Sequence, residues 1–149
     1  MNFRQTVAGV IGVAAIGAVS LGLRAQDVTS SVWDGVYTQA QASRGQAAYT
    51  SSCAACHGDQ LTGGETAPPL AGGEFLSNWN GMTVGQLFDR IRTGMPPDAP
   101  GKVERDSKVD IVAYLLASNK FPAGDKELPT QTAMMNTIQI DAEKPAPQK

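Results

Sequence analysis

The chain has 149 residues, of which 42% are hydrophobic and 17% charged, and its formal net charge is −2. That length suits one domain of ordinary size. No cluster of Lys and Arg is present to track a phosphate backbone, so nucleic acid is excluded as a partner.

The first 25 residues stand apart from any fold argument. Arg4 gives a positive start, 7–23 is an apolar run without a charge, and "LRA" at 23–25 sets a small residue before a cleavage point. This is the pattern of an export signal cleaved after Ala25. The alternative is an uncleaved anchor, because the run is near the shortest that spans a bilayer, although its many Gly and Ala make a weak membrane helix. On either reading the remainder is delivered to the periplasm, and membrane contact is expected only if the segment is retained. Residues 26–36 read as a polar lead, 37–121 as the domain and 122–149 as a C-terminal extension.

Helix signals then come in order. Thr38 with Gln41 forms a T-x-x-Q capping box that opens a small-residue helix running toward Cys53. Gly45 and Ala48 give that helix a thin face for close approach. Residues 58–82 hold glycines at 58, 63, 64, 72, 73 and 81 and no sustained period, and a loop of that length needs something to wrap. A second box, Thr83 with Gln86, opens a helix with Val84, Leu87, Phe88 and Ile91 at helical spacing, and Gly94 suits its stop. Met95 precedes Pro96, which pushes it out of the helical region, and Pro97 stiffens the segment beyond. A methionine is thus held off a helix end on a rigid strap.

A third box, Ser107 with Asp110, predicts a helix with Ile111, Tyr114, Leu115 and Ser118 on one side and Val112 beside them; Pro122 lies beyond its end. Lys102, Lys108, Lys120 and Lys126 read as solvated surface charges. In the tail, "TQTAMMNTIQI" suggests one more turn and a short docked strand, and "DAEKPAPQK" reads as disordered. The predicted architecture is small and all-α, with three or more short helices and long loops.

The chemistry concentrates in "CAACH" at 53–57, which holds both cysteines and the only histidine. A structural zinc site would lack its fourth Cys or His ligand. A thioredoxin-like pair should follow a strand in a βαβ setting, and a Cys–His nucleophile normally meets its partner across the fold. Two core cysteines and a capping histidine would leave the coincidence of all three unexplained. The remaining reading is covalent haem attachment. Positions i and i+3 of a helical turn share a face, so Cys53 and Cys56 can reach two vinyl groups along one porphyrin edge, with His57 free to bind iron. The apolar faces of a haem would also give 58–82 the core that so short a chain otherwise lacks.

The opposite axial position has few candidates. Met82 reads as a staple on the helix it precedes, Met134 and Met135 lie in the tail, and Met95 has the strap; a lysine or a vacant position is the alternative. Thioether ligation favours Fe(II) and leaves no position for substrate, which describes a single-electron carrier. A five-coordinate gas sensor is the competing reading if Met95 does not bind.

Across residues 36 to 121 the sequence resembles class I c-type cytochromes, carried by "RGQAAYTSSCAACHG", "APPL", "TGMPP" and "DIVAYLLAS". The resemblance implies a cytochrome c fold around one haem c, and no catalytic turnover. It implies that Gly45 and Tyr49 of the first helix cross Ile111, Tyr114 and Leu115 of the last. It further implies that the Pro68 carbonyl accepts the His57 Nδ1 proton, that Leu70 lies against the haem, and that Trp79 serves a propionate or packs in the core. "VWDGVYTQAQASRGQAAY" and "LSNWNGMTVGQLFDRIRTGMPP" are similar to periplasmic cytochromes that partner or are fused to quinoprotein dehydrogenases. The implied partners are therefore redox proteins: a pyrroloquinoline-quinone dehydrogenase as donor, or as the complex of which this chain is a subunit, and a terminal oxidase as acceptor. A monomer or a transient complex is expected.

Overall fold

The structure is a computed structural model and describes residues 28–146. The export-signal reading of 1–25 lies outside the described residues, as does the last part of the expected disordered end. Six helices and one two-stranded pairing make up the described fold: β1 (Ser30–Ser31), α1 (Gln39–Ser52), α2 (Ala54–His57), α3 (Gly73–Trp79), α4 (Val84–Gly94), α5 (Arg105–Ser118), α6 (Thr132–Met135) and β2 (Ile138–Gln139). A single 3-10 turn, Val32–Asp34, follows β1. No helix among the described residues is long and apolar enough to cross a membrane.

The most extensive packing is α1 on α5. It is possible because Gly45 has no side chain: a Cβ there would lie 1.8 Å from the Asp110 carbonyl oxygen. One helical turn further on, Tyr49 is buried against Ile111 and Leu115, and its ring meets that of Tyr114 with centroids 5.3 Å apart. Arg44 ties the outer edge of the same contact, with its Nε 2.9 Å from Asp110 and an NH2 group 2.8 Å from Glu127.

Helix α5 is buried on more sides than the sequence suggests. Ile111 and Leu115 face α1, while Val109, Val112, Ala113 and Leu116 join a second, larger cluster with Leu87 and Phe88 of α4. That cluster also takes in Val32 and Tyr37 from the lead and Leu128, Met135, Ile138 and Ile140 from the tail. The protein therefore has a sizeable core of its own, contrary to the expectation that a prosthetic group must supply it. β1 and β2 pair in parallel, Ser30 with Ile138 and Ser31 with Gln139, and Gln139 also bridges to Thr83. Asp141 and Ala142, read as the start of a disordered end, are held: Ser31 and Trp33 donate to Asp141, and the Ala142 amide donates to Asn80.

The helix ends depart from the sequence reading in three places, and at two of them a distant partner is the cause. Helix α5 starts at Arg105 with Glu104 as its cap residue, so Ser107 and Asp110 lie inside it. The Asp110 carboxylate is drawn to Arg44 instead, and Arg105 is occupied by the Thr130 carbonyl and the face of Phe88. At α1 only half of the capping box forms. Thr38 accepts from the Gln41 amide at 3.1 Å, but the Gln41 side chain bonds both backbone groups of Leu128. At α4 the Thr83–Gln86 box is complete, whereas Gly94 ends the helix in helical geometry and the extended Met95 caps it. Finally, α3 interrupts what reads as one loop at 58–82; it starts beyond Gly72 and buries Phe75.

Gly45→Ala tests the helix contact. Alanine gains about 1 kcal/mol of helix propensity, but forcing α1 off the Asp110 carbonyl costs more. The variant should lose about 2 kcal/mol net or fail to fold, read as a lowered denaturation midpoint.

Candidate functional site

Cys53 ends α1 and begins α2, with φ −128° and ψ −33° breaking the helix between them. Its carbonyl accepts from the amides of Cys56 (3.1 Å) and His57 (3.0 Å), so the three residues share one tight turn. Cys53 is half-buried and Cys56 exposed, and the two are not bridged to each other. Burial pushes the Cys53 thiol up, the neighbouring Cys56 adds to this, and Lys108 opposes it. Among the described residues no three His, Cys, Asp or Glu side chains are grouped to hold a metal ion.

His57 is buried, and its Nδ1 lies 2.8 Å from the Pro68 carbonyl oxygen. A carbonyl only accepts, so Nδ1 carries the proton and Nε2 of the neutral ring keeps its lone pair. No buried polar side-chain atom among the described residues lacks a partner, and Nε2 makes no hydrogen bond; it therefore opens onto accessible space. Pro68 is delivered by a loop that closes on itself. The Gly63 amide donates to the His57 carbonyl, Gly64 to Ala67, and Leu70 to Leu61. Gly63 has φ +76°, and a Cβ on it would lie 2.7 Å from the Ala67 oxygen and from the Pro69 nitrogen, so only glycine lets the loop fold back here.

These elements border a cleft of about 1040 Å³ counted out to its open mouth, with largely apolar walls. Cys53, Cys56, His57, Pro68, Leu70, Trp79 and Met95, the whole set of residues singled out in the sequence, line it. Met95 leaves α4 in extended geometry, φ −131° and ψ 138°, as the adjoining proline dictates. Met82 is half-buried with its carbonyl bonded to the Ile140 amide, Met135 is fully buried in the core, and Met134 is 55% exposed. Trp79 packs on Phe75, ring centroids 6.2 Å apart, while facing the same cleft.

Residues 40–115, about half of the chain, match the family model described as "Cytochrome C oxidase, cbb3-type, subunit III". The chain belongs to this family of c-type cytochromes. No curated protein and no solved structure matches it. Membership makes the protein a haem-binding electron carrier with covalently attached haem c. The cleft fits that group: its walls are apolar, two thiols stand in one turn, and a histidine of fixed tautomer borders the same space as a thioether.

Two residues that line this cytochrome's cleft have roles there that differ from the sequence reading. Tyr49 is wall and brace together, because its hydroxyl donates to the Gly58 carbonyl at 2.7 Å and so pins the residue after His57. Lys108, read as a solvated surface charge, is buried and lines the cleft. The helical period held the signal: Lys108 is three residues before Ile111 and seven before Leu115, on the face that looks into the site.

The Tyr49 hydroxyl is pushed up from 10.0 to about 12, chiefly by burial and then by Cys53, Tyr114 and Asp59. Its contribution to stability is complete below pH 10 and is lost as pH rises through about 12. The unfolding midpoint should therefore fall across that window. Tyr49→Phe should show a shallower fall, with a residual slope from Tyr37, whose hydroxyl is also raised by burial. At neutral pH it should be about 1 kcal/mol less stable, since the Gly58 carbonyl loses its donor.

Proposed function

We propose that this cytochrome is an exported monohaem carrier in which Cys53 and Cys56 hold the haem as thioethers and His57 Nε2 and Met95 bind its iron. One observation carries the reading. Of the four methionines in the described residues, only Met95 borders the cleft that His57 borders. Lysine is a poorer candidate for the second position, because the one buried at the cleft, Lys108, already donates to two carbonyls.

Bound there, haem supplies a one-electron Fe(III)/Fe(II) couple. The residues set its character. The Pro68 carbonyl orients His57 and makes its free nitrogen a stronger donor. A soft thioether from Met95 favours the ferrous state and raises the potential relative to nitrogen ligands. With His57 and Met95 both given to the iron, no position would remain for oxygen or substrate, which argues for a carrier and against a gas sensor or an enzyme. The cleft's open mouth supports transfer to a docked protein.

The partners we propose are a pyrroloquinoline-quinone dehydrogenase as donor and a terminal oxidase as acceptor, on the resemblance of residues 32–49 and 76–97. The meeting place is the periplasm, on the leader-like character of 1–25.

Two measurements test this. Haem should stay with the polypeptide through acid denaturation and organic extraction, adding its mass to the chain; colourless protein would refute the attachment at Cys53 and Cys56. Ferric protein should show the weak far-red sulfur-to-iron band, and Met95→Ala should abolish it, lower the potential and admit carbon monoxide to the ferrous form. A band that survives in Met95→Ala would remove Met95 from the ligand set.

A further inference from the structure

Lys108 stands on α5 with its side chain turned away from solvent, the residue being 3% exposed. Among the described residues no carboxylate lies within ion-pair distance of it. A buried ammonium without a counter-charge is costly unless hydrogen bonds replace its water. Two do so: Nζ donates to the carbonyl oxygen of Arg92 at 3.2 Å and to that of Pro100.

Those carbonyls lie at the two ends of the strap that carries Met95. Arg92 is in the last turn of α4, where its carbonyl would await a donor from the residue four positions on. That residue is Pro96, which has no N–H. The proline that turns Met95 out of the helix thus strips a donor from Arg92, and Lys108 restores it from across the fold. Toward the far end the backbone is tied only by short local turns, Ala99 to Pro96 and Lys102 to Ala99. Nothing within the strap joins its ends.

We propose that Lys108 is a positioning residue that clamps residues 92 to 100 into a closed loop and so holds Met95 at the cleft. Its consequence for iron rests on the reading of Met95 as a ligand; the clamp itself does not. An ammonium that donates both bonds has no lone pair of its own to offer a metal.

The test uses the haem-loaded full chain and two variants. Lys108→Met keeps length and packing but removes the donors, while Lys108→Arg keeps a buried cation. Amide exchange at Ala99 and Lys102 should accelerate about tenfold or more in Lys108→Met, the factor one charge-assisted bond is worth, with the amides of α1 unchanged. Lys108→Arg should return both rates to within about threefold of the original. In Lys108→Met the far-red band should weaken and carbon monoxide should bind faster, both reversed by arginine. Unchanged exchange at Ala99 and Lys102 overturns the clamp, whatever binds the iron. Accelerated exchange with an unaltered band and carbon monoxide rate overturns its link to Met95. A parent protein without the band would refute the ligand reading alone, and exchange would still decide the clamp. Should Lys108→Met not accumulate, Lys108→Gln, a shorter neutral donor, goes through the same assays with the same expected sign.

Discussion

At Gly45 the backbone of α1 lies so near the Asp110 carbonyl that no other residue fits between them, and this contact orders most of what surrounds the cleft. With the two helices held there, Tyr49 falls one turn later against Ile111 and Leu115. Cys53 then ends α1 at the border of the cleft, and the next turn carries His57. The same contact fixes the rotation of α5, so that positions 108, 111 and 115 look into the site while 109, 112 and 116 feed the larger core. Helix packing and prosthetic-group chemistry meet in a single close approach.

On each side of the cleft a proline solves a different problem of backbone chemistry. Pro68 contributes a carbonyl, and the tight loop around Gly63 aims it at His57 so that one ring nitrogen is committed as donor and the other left free. Pro96 acts twice: its ring turns Met95 out extended, and its missing N–H leaves α4 no donor for the Arg92 carbonyl. Both effects come from the main chain, and both bear on a side chain that borders the cleft.

Much of this was legible in the sequence because it is local. The turn at 53–57, the Thr83–Gln86 cap and the Met-Pro strap are fixed by residues within a few positions of one another, and all reappear in the structure. The tail's further turn and short strand match α6 and β2 for the same reason. What could not be read depends on distant partners. Gln41 abandons its capping role because Leu128 presents both backbone groups to it. Asp110 leaves a cap for Arg44, and Lys108 looks like a surface charge until Arg92 and Pro100 are brought over it. Helix α3 is too short to show a period and opens on two glycines. At the cleft, the seven expected residues converge, whereas the Tyr49 brace and Lys108 emerge only once the helices are packed.

The threading of the tail has a bearing on how the molecule is made. Residues 137–141 lie between the lead at 29–31 and the segment at 81–83, and Trp33 bonds Asp141 across 108 positions of chain. A polypeptide emerging amino end first offers β1 no partner until nearly everything else has appeared. Pairings so remote form slowly, since the connecting chain must surrender its freedom before they return anything. Each helix and the haem-bearing turn can therefore form early from near neighbours, while the seam between beginning and end is sewn last.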